Sequence, residues 1–247
     1  MYDFGKNTYI WDPWKGCNKL SEGCDNCYIN CPHGFEDLLY KFNFNRVKSG
    51  EVVTCCLLSD FFLTEADHLR PTVWHYIKKH SDIIFLIITK RIKRFKQCIP
   101  PDWGTGYDNV IIAVTTENQR RADERLPYFL TLPIKHKWIT CSPLLEKIDI
   151  STYLKTGKIE HVEATGERDC EKVARKTHYD WVKNISDQCK EYDVRFTMQY
   201  LGHNFEMPDG TIQRDHSKWF RSKPAEDLNL NHYKPITFHL NGFDKTY

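Results

Sequence analysis

The chain carries little net charge, no long apolar run, no low-complexity segment, no long linker and no convincing internal repeat. Across 247 residues, 35 Lys and Arg against 33 Asp and Glu leave +2. The general basic excess of a protein held to nucleic acid mainly through phosphates is therefore missing. The longest purely apolar stretch covers only residues 83–88, whereas a membrane-spanning helix needs about 20 such residues. The opening Met1-Tyr2-Asp3-Phe4-Gly5-Lys6 lacks the apolar core of a secretory signal. These absences set the expectation of a cytoplasmic protein without a membrane contact. Disorder is excluded as the main state, because 14 Phe, 13 Tyr and 7 Trp supply enough apolar surface to offset chain entropy. The length fits one large domain or two small ones.

One local basic group stands out: Lys90, Arg91, Lys93, Arg94 and Lys96. It reads either as a solvated helix face or as a polyanion contact. The ten cysteines are distributed unevenly. Four fall between positions 17 and 31, and Cys55, Cys56, Cys98, Cys141, Cys170 and Cys189 are scattered. A disulfide framework does not suit a cytoplasmic chain of this length, and a tight cysteine group in a reducing compartment reads first as a metal site.

Short runs rich in β-branched and apolar residues recur along the chain, each ending in a polar cluster. They cover residues 8–11, 51–58, 82–88, 109–114, 137–140, 160–164 and 194–198. The clusters that follow include Ser59-Asp60, Thr89-Lys90-Arg91, Thr115-Thr116-Glu117-Asn118, Cys141-Ser142-Pro143, Thr165-Gly166-Glu167 and Gln199. Helix-like stretches intervene. Leu69, Val73, Trp74 and Ile77 form an apolar stripe within 65–80, and Trp181, Val182, Ile185 and Cys189 do so within 179–192. The near-continuous apolarity predicts strands buried on both faces of a parallel sheet, and the alternation predicts right-handed βαβ units. About seven units, each with its polar cluster after a strand, favour an α/β fold of the full or partial (β/α) barrel kind. A barrel gathers every such cluster at one mouth, whereas an open doubly wound sheet gathers only a few. Residues 1–202 are expected to form the barrel. Residues 203–247 are less periodic, with turn signals at Pro208-Asp209-Gly210 and Asn241-Gly242, and are expected to be a C-terminal extension packed on it.

The most informative segment runs Trp14-Lys15-Gly16-Cys17-Asn18-Lys19-Leu20-Ser21-Glu22-Gly23-Cys24-Asp25-Asn26-Cys27-Tyr28. Its spacing is C-x6-C-x2-C, and a glycine precedes each of the first two cysteines. Glycines let a loop fold tightly and aim N–H groups at sulfur. Following the first strand, the segment belongs at the barrel mouth. Three readings stay open. Cys17, Cys24 and Cys27 hold an iron–sulfur cube with one iron left open. Alternatively they hold zinc, with Cys31 or His33 as a fourth ligand, although only one of the two CxxC halves usual for zinc is present. In the third reading Cys24 and Cys27 form a dithiol redox pair. Cys31 reads as a bystander in the first case.

On these residues the sequence resembles the phage-associated three-Cys-motif family of unknown function, itself similar to radical S-adenosylmethionine enzymes. The resemblance runs from Trp11-Asp12-Pro13-Trp14-Lys15-Gly16-Cys17 and Ser21-Glu22-Gly23-Cys24-Asp25-Asn26-Cys27-Tyr28 through Ser59-Asp60-Phe61-Phe62 and Thr89-Lys90-Arg91. It continues through Val114-Thr115-Thr116-Glu117-Asn118, Cys141-Ser142-Pro143-Leu144-Leu145 and Gly166-Glu167, to Asp180-Trp181-Val182 and Asp187-Gln188-Cys189. The usual radical-enzyme pattern is C-x3-C-x2-C with an aromatic before the last cysteine. Here the first gap is six, and Tyr28 follows the last cysteine.

The resemblance implies an enzyme of the isomerase or lyase class with a [4Fe–4S] cluster on Cys17, Cys24 and Cys27 and with S-adenosyl-L-methionine as cofactor. It implies a reducing electron donor and a DNA or nucleotide substrate, for instance a hypermodified base in phage DNA within the host cytoplasm. It places Gly166, Glu167, Thr89, Lys90, Arg91, Glu117, Asn118 and Tyr28 around the cofactor. In that scheme Glu167 faces the methionine amine, Thr89, Lys90 and Arg91 face a carboxylate or substrate anion, and Glu117 and Asn118 face ribose. Ser59, Asp60 and Gln199 belong to the substrate side, and Trp14, Tyr28, Phe61, Phe62 and Tyr200 are aromatics able to stack on a base. Plainer roles compete: surface charge for Lys90 and Arg91, a helix cap for Glu117, and core packing for the aromatics, Cys141 and Cys55-Cys56. Two rival functions are a zinc-stabilised nucleic-acid-binding protein using residues 90–96, and a DNA-repair lyase that regenerates the same cofactor.

Overall fold

A computed structural model describes residues 8–29, 34–170, 172–217 and 222–247. Seven parallel strands form one sheet in sequential order: β1 (Thr8–Trp11), β2 (Val52–Cys55), β3 (Ile84–Thr89), β4 (Val110–Thr115), β5 (His136–Cys141), β6 (His161–Thr165) and β7 (Arg195–Tyr200). Each strand pairs only with its sequence neighbours in this sheet, so β1 and β7 are its edges. The sheet is a curled half-barrel, the partial member of the two barrel forms expected. Helices α1 (Arg70–Lys79), α2 (Phe95–Cys98), α3 (Gln119–Phe129), α4 (Ser151–Leu154) and α5 (Tyr179–Glu191) lie in the crossovers, and α6 (Lys223–Asp227) follows β7. No helix among the described residues is long and apolar enough to cross a membrane.

Alternate residues of each strand point to opposite faces, and the two faces differ. Val53, Cys55, Phe85, Ile87, Ile112, Val114, Ile139, Val162 and Phe196 join Val73, Trp74 and Ile77 of α1, Leu126 and Phe129 of α3, and Val182 and Ile185 of α5 in the main core. The inner face splits into two zones. Val52, Ile84, Leu86, Ile111, Ala113 and Trp138 form a second apolar cluster with Ile236, Phe238 and Leu240. The last two lie in the hairpin β8 (Thr237–Leu240) and β9 (Phe243–Thr246). The chain's final hairpin is thus the floor of the half-barrel. Toward the strands' C-terminal ends the inner face turns polar: Thr115, Thr140, Glu163 and Thr197 stand side by side across β4 to β7. Burial on both faces holds for every strand from β2 to β7, but on β5 to β7 much of the inner burial is polar.

Candidate functional site

Because the strands are parallel, their C-terminal ends meet at one rim, and the cysteine segment crosses it. The segment leaves β1 through a two-residue strand, Trp14–Lys15, paired antiparallel with Glu36–Asp37. Gly16 has φ +92, and a Cβ there would overlap the Gly34 carbonyl, so this turn is open only to glycine. A cavity of about 270 Å³ lies beneath. Cys17, Cys24 and Cys27 all line it, with Tyr28, Ser59, Thr140, Glu163 and Gln199 among its walls. Among the described residues no three His, Cys, Asp or Glu side chains converge on a single-ion position. Cys31 and His33, the expected bystander and the alternative zinc ligand, lie outside the described residues.

Side chains from four strand ends clasp the loop. After β2, the Ser59 hydroxyl donates to the Gly16 carbonyl at 2.6 Å. After β3, Arg91 reaches back: Nη2 donates to the Asn18 carbonyl at 2.5 Å, and Nη1 lies 3.5 Å from Cys17 Sγ and 3.2 Å from Asp60 Oδ2. After β4, Glu117 accepts from the Ser21 hydroxyl and pairs at 2.7 Å with Arg125 of α3. Both charged groups are buried, and the arginine also donates to the Thr115 carbonyl at 2.7 Å. After β6, Glu167 pairs with Arg175, whose Nη1 donates to the Glu22 carbonyl at 3.0 Å. Asn26 completes the closure, donating to the Arg168 carbonyl and accepting from Lys172 N–H, both at 3.1 Å.

Electrostatics follow this wiring. Burial pushes the Cys17 thiol up to about 11, against the pull of Arg91. Burial raises Glu117 as well, but Lys90, Arg125 and Ser21 outweigh it and leave the carboxyl below its ordinary value. Glu22, held by backbone N–H donation and by Arg121 and Arg120, falls to about 2.

The expected site residues divide accordingly. Thr89, Lys90, Arg91, Gly166, Glu167, Tyr28, Ser59, Asp60 and Gln199 all line the cavity, but several are already engaged. Asp60 accepts from Thr89 Oγ1 at 2.8 Å and from Lys90 N–H at 2.9 Å, fixing the β3 turn. Arg91 is committed to the loop and to Asp60, whereas Lys90 lines the cavity. The Lys90 amine has no hydrogen-bond or ion-pair partner among the described residues. Both Glu167 oxygens bind Arg175. Gly166 is a packing glycine, because a Cβ there would overlap the Leu201 carbonyl. The Tyr28 hydroxyl donates to the Leu57 carbonyl at 2.8 Å.

Glu117 and Asn118, expected near ribose, are not among the residues lining the cavity. Glu117 is sealed behind the loop, and it is the Asn118 side chain that caps α3, accepting from Arg121 N–H at 2.9 Å. Trp14, Phe61 and Phe62 are core residues, which leaves Tyr28 and Tyr200 as the cavity's aromatics. The Arg168 guanidinium stacks over Tyr200 at 4.3 Å. Within the basic group at 90–96, Arg91 turns inward, Lys93 pairs with Glu124 and Arg94 with Asp67, while Lys96 is exposed.

Sequence reasoning missed Glu163, Thr140, Cys170, Arg168, Arg175 and Arg125. Glu163 is 4% exposed, accepts from Thr140 at 2.7 Å and receives Gln199 Nε2 at 3.1 Å. A carboxylate at the centre of the apolar run His161–Thr165 was its signal. The arginines carry no signal of their own: Arg175 reaches Glu22, 153 positions away, and the pairing of Arg125 with Glu117 depends on how α3 packs behind β4.

These features define a parallel β/α half-barrel that carries a clasped three-cysteine loop over a polar-walled cavity. Residues 37–226 match the family described as "Protein of unknown function (DUF5131)", and the chain belongs to that family. The matched stretch begins after the cysteine loop. No curated protein and no solved structure matches the chain.

Proposed function

We propose that the protein is a radical S-adenosylmethionine enzyme that remodels, by isomerisation, a base or nucleotide, with DNA of phage origin as the intended context. The observation that carries this reading is the meeting of Cys17, Cys24 and Cys27 around one cavity at the C-terminal mouth of a parallel half-barrel. A cubane takes each thiolate on a different iron corner, so it asks three sulfurs to surround a common space instead of converging on one point. The residues present fit such a group. Cys17 is a half-buried thiol that would surrender its proton on ligation, and a guanidinium stands beside its sulfur. When bound, the reduced cluster with S-adenosylmethionine supplies a 5′-deoxyadenosyl radical able to take hydrogen from an unactivated carbon.

The chain's own residues do the positioning. Lys90 offers an ammonium to an anionic group in the cavity. Glu163, Thr140 and Gln199 form the polar wall facing the substrate. Tyr200, stiffened by Arg168, offers a stacking face. The loop clasps hold the mouth closed on the cluster side and limit water.

The test is anaerobic reconstitution with iron and sulfide. Wild-type protein is expected to take up four of each, and to release 5′-deoxyadenosine when given dithionite and S-adenosylmethionine; Cys17→Ala, Cys24→Ala and Cys27→Ala are expected to do neither, while Cys31→Ala behaves as wild type. Stoichiometric zinc without sulfide in the wild type refutes the proposal. Regeneration of S-adenosylmethionine after turnover would place the enzyme with the repair lyases.

A further inference from the structure

We infer that Arg91 sets the reduction potential of the cluster through Cys17, acting as a positioning residue on the ligand and not as a binder of cofactor or substrate. The inference rests on the radical-enzyme reading above. Arg91 is one-tenth exposed and its partner Asp60 is 7% exposed. Its Nη1 lies 3.5 Å from Cys17 Sγ, within hydrogen-bond range for sulfur, while its Nη2 is tied to the carbonyl of the next loop residue, Asn18, at 2.5 Å.

The fork is therefore held across the ligand by three attachments: a carboxylate behind it, a carbonyl beside it and the sulfur in front. Asp60 is itself immobilised by Phe62 N–H at 2.9 Å, Thr89 Oγ1 at 2.8 Å and Lys90 N–H at 2.9 Å. Thr89 Oγ1 also accepts from Arg91 N–H at 2.8 Å. Such over-determination is unnecessary for a residue meant to close on an incoming carboxylate, and it suits one that must hold a fixed N–H direction. Donation to a ligating sulfur withdraws electron density and favours the more negative, reduced cluster, which raises its potential. Asp60 offsets the guanidinium charge at longer range, so the effect is local and carried by the N–H···S contact.

The experiment compares wild type, Arg91→Met and Arg91→Lys by redox-mediated titration of the reconstituted protein, followed by EPR of the reduced cluster, with dithionite as electron source. Iron and sulfide content is the control. Arg91→Met is expected to lower the ratio of reduced to oxidised cluster at a fixed poise at least tenfold, a downward shift of about 59 mV for one electron. Arg91→Lys, which keeps the charge but loses the planar fork, is expected to fall between, with an altered EPR signal. Wild-type potentials in loaded variants overturn the inference and leave the proposed function standing. If Arg91→Met fails to load, Arg91→Lys decides alone. Failure of both to load overturns the inference in favour of a purely structural role. Absence of a cluster in the wild type refutes the proposed function itself.

Discussion

The two ends of the half-barrel are built from the same strands and held by opposite means. At the floor, Phe238 and Leu240 of the terminal hairpin close on Val52, Leu86 and Trp138, a contact whose strength scales with apolar area removed from water. At the mouth, the cysteine loop is fastened by directional contacts: Ser59 to Gly16, Glu117 to Ser21, Arg175 to Glu22 and Asn26 to Arg168. A floor of this kind tolerates small shifts. The mouth fixes positions, because a buried hydrogen bond or ion pair is strong only in a narrow geometry and penalises its own loss. Stability is concentrated below and precision above, where the cysteine loop is held over the cavity.

Two substitutions of similar energetic size separate the ends. Phe238→Ala removes a fully buried ring and is expected to lower unfolding stability by about 3–5 kcal/mol, while residues 17–28 stay protected from protease under native conditions. Arg125→Met strands the buried Glu117 carboxylate, also by about 3–5 kcal/mol, and is expected to expose that same segment to cleavage. Equal protection of the loop in both variants would dissolve the distinction.

Acid separates the ends next. Burial and Arg195 hold His161, on the inner face beside Trp138, well below its ordinary value. The unfolded chain therefore takes up this proton first. Stability is full above about pH 6.5 and declines as pH falls below it, by up to about 1.4 kcal/mol per unit. Glu117 has the opposite charge type and a lowered folded value. Its contribution is full above about pH 4.3 and is lost as pH falls toward that lower value. Urea titrations across pH should show two limbs, with His161→Gln removing the upper one alone. The smallest effect belongs outside both ends: Lys93→Ala breaks an exposed pair with Glu124 and should change stability by about 0.2–1 kcal/mol, with no effect on the loop.

Much of the scaffold was legible in the chain. All seven apolar runs became the strands of the main sheet, within a few residues, because a buried parallel strand is marked locally by its own composition. The helix Gln119–Phe129 was not named: it carries Arg120, Arg121, Asp123, Glu124 and Arg125, and Pro127 sits inside it, so its apolar stripe is thin. The runs that became β6 and β7 were read as near-continuously apolar, although His161, Glu163 and Thr197 lie on their inner face. The three cysteines were legible as a group from spacing. The tasks of their neighbours were not, because the position of Arg91 against Cys17 and of Arg175 against Glu22 depends on how distant strand ends are brought together.

That distance bears on how the protein is made. Glu22 and Arg175 are separated by 153 positions, so at about 5–20 residues per second the ribosome delivers the arginine roughly 8–30 s after the glutamate. Through that interval the earliest-synthesised thiols have no finished cradle to enter, and they remain open to oxidation or to stray metal. The cysteine segment is thus seated only after translation has passed the sixth strand and reached Arg175, 153 positions beyond Glu22.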